Sequence, residues 1–243
     1  MSAWGPLIAL ACASLILRLG WHRWAEASSA NNAAGQRLGS AARFFYFVGL
    51  PYLAIITGLL APRFLGLKGL ENFISINLSE GWATTIAGLQ KATTILLLEG
   101  LADGSLMIGV GLAALLLLVG LRLGLARLDL MLATGPHPSI SDTLYVCLHW
   151  AFYRGIFWVI TGDLYLGVVW GLAWVMVERA LVVWTHNDWQ VQRLYFLTNT
   201  IILILTSTIF FYSPNLWLLG PLHLVLVAIA NSRPRRDFVR EVA

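Results

Sequence analysis

The sequence predicts an all-α protein, a polytopic transmembrane helix bundle of about seven spans with one additional interfacial or re-entrant helix. Three observations predict it. Several apolar runs reach roughly 17 residues or more, the length at which a helix rising about 1.5 Å per residue crosses a bilayer. Of 243 residues, 58% are hydrophobic and 12% charged, and the mean hydropathy is +0.75, a balance that excludes an ordinary soluble domain. The basic residues lie at the ends of the apolar runs and not along one solvated face. With a net charge of +4 and a pI near 9.3, that placement reads as membrane topology and excludes nucleic acid as a partner.

In chain order, Trp4 to Gly20 is the first span. It starts almost at Met1 and contains Arg18, with no basic segment ahead of it and no small-residue cleavage site, so it reads as a retained helix. Trp21 and Trp24 suit a membrane interface, and the Ser/Asn/Ala/Gly-rich stretch after them suits an exposed loop. Phe44 to Ala61 is the second span, kinked by Pro51, which lacks a backbone donor. Trp82 to Leu98 is apolar but interrupted by Gln90, Lys91 and several threonines, a pattern for an interfacial or re-entrant amphipathic helix. Ser105 to Leu121 is the third span, rich in Leu, Gly and Ala.

Arg122 and Arg127 follow, then a loop with Pro136 and Pro138, where Ser141 or Asp142 can cap the next helix. Thr143 to Thr161 is the fourth span, and Asp163 closes a short connection to the fifth, Leu164 to Trp184. Leu194 to Tyr212 and Leu216 to Ala230 are the sixth and seventh, joined by Ser213-Pro214-Asn215. The chain thus reads as one membrane domain, with the first three spans and the amphipathic segment in 1–142, a core in 143–231 and a basic cytosolic tail in 232–243.

The positive-inside rule orients this bundle. With the amino terminus outside a plasma or inner membrane, the inner segments collect Arg18, Arg23, Arg37, Arg43, Arg122, Arg127, Arg193, Arg233, Arg235, Arg236 and Arg240. Only Arg63, Lys68 and Lys91 fall outside. Cys12 and Cys147 both lie in apolar runs without motif spacing and read as buried thiols.

The fourth span carries the chemistry. It places His149 and Arg154 where the surroundings are hydrocarbon. A guanidinium at mid-membrane costs about 2.5 to 3.5 kcal/mol even on insertion scales, so Arg154 needs a partner, for which Glu178 or helix-end carbonyls are the candidates.

Three stretches, HWAFYRG (His149 to Gly155), WGLAW (Trp170 to Trp174) and SPNLWLLGPLH (Ser213 to His223), taken in order resemble the CPBP family of intramembrane proteases, which includes CAAX-processing and bacteriocin-immunity proteins. That family's motifs are EExxxR followed by Gly, FxxxH and HxxxN. Arg154 and Gly155 match the end of the first motif, Trp170 to Ala173 resembles the start of the second, and Asn215 to His223 resembles the approach to the third. The departures fall on the catalytic groups: His149 and Trp150 replace the paired glutamates, Trp174 the second-motif histidine and Val227 the third-motif asparagine. Hydrolysis needs a base for water, and both carboxylates are gone. The resemblance therefore implies the family's fold without its activity, and a structural or accessory subunit contacting other membrane proteins and the lipid bilayer.

Two alternatives use the same residues. His149, Glu178 and His223 converging in the core would make a rearranged peptidase site or a metal site. His149 or His223 amid Trp and Phe would suit ligation of a haem or chlorin. Against both stands the reading of Arg154, His149 and His223 as paired core residues. His22, His137 and His186 read as solvated loop side chains.

Overall fold

The computed structural model describes residues 4–27, 33–76, 79, 81–127, 139–184 and 189–231. Among them every regular element is helical and no strand occurs. Helix α1 spans Trp4–Ala27. Helix α2, Ala33–Phe44, runs through a π turn at Phe45–Gly49 into α3, Leu50–Ile56. The stretch after Gly20 reads as loop in the sequence, yet only 28–32 falls outside the described residues; the alanines on either side are strong helix formers and continue α1 and open α2. The second apolar helix accordingly starts earlier than Phe44 and ends at Ile56, short of Ala61.

The π turn explains how Pro51 is tolerated. A proline here leaves a carbonyl one turn back without its donor and crowds it with the ring. The Leu50 N–H bonds the Phe45 carbonyl, a five-residue step that widens the turn just ahead of Pro51. Both Tyr46 and Phe47 are buried as a result of their placement on this turn.

A 3-10 turn at Pro62–Leu65 and the short α4, Leu70–Ile74, lead to α5, Trp82–Arg127. The expected amphipathic segment 82–98 and third span 105–121 are therefore one unbroken helix of 46 residues. At about 1.5 Å per residue it is about 69 Å long, twice a bilayer's hydrocarbon thickness of about 30 Å. Glu99, Gly100, Asp103 and Gly104 do not break it; the polar side chains cost a helix little where they leave the apolar layer.

Helix α6, Ile140–Thr161, starts at Ser139, whose Oγ accepts the Asp142 N–H at 3.1 Å; Ser139, not Ser141 or Asp142, is the cap. Gly162 ends α6 in the left-handed region (φ 69°), and Asp163 Oδ1 accepts the Leu166 N–H to start α7, Leu164–Trp184. Helices α8, Trp189–Tyr212, and α9, Leu216–Asn231, complete the bundle.

Four helices, at Leu38–Ile56, Trp82–Leu123, Ile140–Thr161 and Leu164–Trp184, are long and apolar enough to cross a membrane. Shorter apolar helices at Trp4–Gly20, Phe196–Tyr212 and Leu216–Asn231 fall at the remaining three expected positions. Trp4, Trp82 and Trp184 are exposed near helix ends, as an aromatic belt requires. Of the two cysteines, Cys147 is buried as expected, whereas Cys12 is exposed because it lies on the outward side of α1. The residues His137 and His186 and the tail 232–243 lie outside the described residues, as does the side chain of His22.

Polar pairs mark the two ends of the bundle. At one end Arg43 meets Asp142 at 2.8 Å, and Arg122 donates to the Ile229 carbonyl. At the other, Asp103 accepts from Lys68 (2.8 Å) and Asn215 (3.1 Å), and the Leu216 N–H donates to Gly66 O. Residues 104–127 of α5 lie along α9, with Gly111 against Leu222, while 82–102 continue past Asp103 and pack on α4. Helix α6 is the centre: 56% of its apolar window is buried within the protein, against 22% for α5, and every residue from His149 to Ile156 is buried.

Candidate functional site

Two sides of α6 carry different chemistry. At 100° per residue, His149 and Tyr153 share one face, and Trp150 and Arg154 share another.

On the first face the centre is Glu178 of α7. Tyr46 Oη donates to Glu178 Oε1 at 2.7 Å, and Arg18 Nε lies 3.8 Å from the same oxygen. His149 Nε2 lies 3.9 Å from Glu178 Oε2, beyond hydrogen-bond reach. Tyr153 Oη and Ser14 Oγ are 2.9 Å apart. Helix α1, the π turn, α6 and α7 are thereby laced together, and the Arg18 charge offsets that of Glu178. The His149 ring is boxed by Tyr46, Phe47, Phe152 and Tyr153, the first two with centroids 4.2 and 5.4 Å away.

On the second face Arg154 lies over the Phe210 ring of α8, its guanidinium carbon 4.3 Å from the centroid. Its Nε and Nη1 are buried without a hydrogen-bond partner among the described residues. His223 of α9 packs edge-on against Trp150, with centroids 5.1 Å apart, and Arg179 lies over the same indole at 5.0 Å.

The close approach of α6 and α7 depends on Gly171 and Gly167. A Cβ at Gly171 would meet Arg154 Cα at 2.8 Å, and one at Gly167 would meet Trp158 Cα at 2.5 Å. This contact also explains why Arg154 does not pair with Glu178, contrary to the expectation from sequence. Gly171 is the α7 residue that faces Arg154, and Glu178 lies two turns further on, about 10 Å along the axis, beside His149.

The candidate set is thus divided. His149 and Glu178 come together, Arg154 and His223 share the opposite side, and the convergence of His149, Glu178 and His223 does not form. Among the described residues no group of three His, Cys, Asp or Glu side chains is placed to hold a metal ion. Haem or chlorin ligation by His149 would require displacing Tyr46 or Tyr153, whose rings stand 4.2 and 4.7 Å away. Trp174 packs near Phe157 and Tyr153.

Sequence reasoning missed Tyr46, Ser14 and Tyr153, and it treated Arg18 only as a topology signal. An arginine inside an apolar run was the one available clue. Tyr46 had none, since its inward aim depends on the π turn. The chain matches no protein-family model, no curated protein and no solved structure.

Proposed function

We propose that the chain is a non-catalytic integral membrane protein, related in helix order to the CPBP proteases, that serves as a structural or accessory subunit of a larger membrane assembly. The amino terminus lies outside a plasma or inner membrane and the carboxyl terminus in the cytosol. One observation carries the reading: His149 and Trp150, the residues that the resemblance sets against the family's paired glutamates, point about 100° apart around α6 and pack on different aromatic neighbours. His149 enters an aromatic box and Trp150 covers His223, so neither offers a carboxylate to activate water. The remaining carboxylate, Glu178, is held by Tyr46 and Arg18, which suits a structural pairing. The extension of α5 past Asp103, with Trp82, Leu97, Leu98 and Leu101 exposed, offers apolar surface beyond the bundle's polar end for a partner subunit.

Extraction in a mild detergent followed by quantitative mass spectrometry tests this. Other membrane proteins should co-purify in fixed stoichiometry, and loss of the extension by deletion of 82–98 should release them. Recovery of the chain alone, at native expression, would overturn the accessory role.

A second reading is favoured by the 3.9 Å approach of His149 to Glu178. The pair would be the base of a rearranged intramembrane peptidase, and it requires a water path to His149.

A further inference from the structure

A cleft of about 290 Å³ opens where the 3-10 turn, α4 and α5 meet. Arg63, Lys68, Glu71, Glu99 and Asp103 line it, two cations among three carboxylates, and no aromatic ring does. Lys68 and Asp103 neutralise each other at 2.8 Å. Among the described residues Glu71 takes one side-chain hydrogen bond, from the Arg63 backbone N–H at 3.0 Å, and Glu99 takes no hydrogen bond or ion pair. The Arg63 guanidinium likewise meets no acid among them; it lies over the Phe64 ring, its carbon 5.0 Å from the centroid. One unpaired cation thus shares the cleft with two carboxylates that lack a charged partner. The cleft also stands at the level of a membrane surface. Trp217, 49% exposed, donates its indole N–H to Lys68 O at 3.1 Å, the placement of an interfacial aromatic. Along α5, Glu99, Leu106, Ala113 and Leu117 fall on one side of the helix by their spacing. The last three are exposed, so an apolar strip runs from the cleft down the part of α5 that lies along α9.

We infer that the cleft holds the head of a phospholipid that carries both a phosphate and a primary ammonium, a phosphoethanolamine head, with its acyl chains on the α5 strip. Arg63 takes the phosphate, and Glu71 and Glu99 accept N–H bonds from the ammonium. A purely anionic head would set its charge against two carboxylates. A choline head has no N–H to give them and finds no ring in the cleft to lie against. The strip of Leu106, Ala113 and Leu117 selects a lipid over a water-soluble bearer of the same head. The site uses none of the residues on the two faces of α6, so it stands whether or not the bundle is catalytic.

Native mass spectrometry of the full chain tests it, with protein released from nanodiscs that hold dioleoyl phosphatidylethanolamine, phosphatidylcholine and phosphatidylglycerol in equal parts. Phosphatidylethanolamine should be retained about tenfold over each of the others, the size of a charge-assisted hydrogen bond or two. Glu99→Gln and Arg63→Gln should each reduce that preference about fivefold, while Lys91→Gln, outside this cleft, should leave it unchanged. Thermal unfolding of each variant establishes that it is folded; if one is not, the other decides, and the lipid comparison on the wild type stands by itself. Excess soluble glycerophosphoethanolamine should not displace the lipid, and displacement would overturn the lipid as the source of the head. Equal retention of the three lipids, preference for phosphatidylcholine or phosphatidylglycerol, or a preference unchanged in the folded cleft variants would overturn the assignment.

Discussion

Tyr46 donates a 2.7 Å hydrogen bond to Glu178, and through it the π turn of the second apolar helix holds the carboxylate of α7 in place. Both partners are nearly buried, so the bond acts where water cannot replace it. Tyr46→Phe should destabilise the protein by about 1 to 3 kcal/mol, because it strands a buried acceptor. Glu178→Gln keeps an acceptor for Tyr46 but leaves Arg18 without its counter-charge. Thermal unfolding in detergent of both single variants and the double should show coupling, with the double costing less than the sum of the two. Additive losses would mean that the two side chains do not act together.

The α6–α7 contact gives a second expectation. Gly167→Ala places a methyl group 2.5 Å from the Trp158 backbone, which cannot yield without separating the helices. A loss of about 1 to 3 kcal/mol should follow, from overpacking. A methyl group at Gly109 would have nothing within 4 Å, so Gly109→Ala should be neutral or stabilising by up to about 1 kcal/mol. Unfolding midpoints of the two variants, side by side, check this.

The length of α5 makes a topological expectation. Thr94 lies on its extension past Asp103, and Ser141 lies in the first turn of α6 at the opposite polar end. In a Cys12→Ser, Cys147→Ser background, Thr94→Cys and Ser141→Cys should react with a membrane-impermeant maleimide from opposite faces of sealed vesicles. Labelling from the same face would contradict the placement of the Arg43–Asp142 and Lys68–Asp103 pairs at opposite membrane surfaces.

Much of the bundle was legible because a hydrocarbon solvent leaves few choices. Apolar runs located α6, α7 and α9 to within a few residues. The continuity of α5 was not legible: Gln90, Lys91 and Glu99 look like a boundary in composition, but a helix crosses from lipid to water without changing its backbone. Site residues could be listed but not grouped. His149 and Arg154 are close in sequence yet about 140° apart around α6, and the positions of Glu178 and His223 depend on helix contacts that no local pattern records. The π turn belongs to the same class, since Pro51 signals a distortion but not the one that turns Tyr46 inward.

The division of the candidate residues between two faces of α6 is tested most directly by peptide cleavage. Purified wild-type protein in nanodiscs, with His149→Ala and Glu178→Gln beside it, is assayed by mass spectrometry on a library of membrane-embedded peptides. All three should give the same background, because the histidine and the carboxylate serve packing. Cleavage by the wild type that is lost in both variants, with their folds intact, would contradict the non-catalytic assignment and make His149 and Glu178 a working pair.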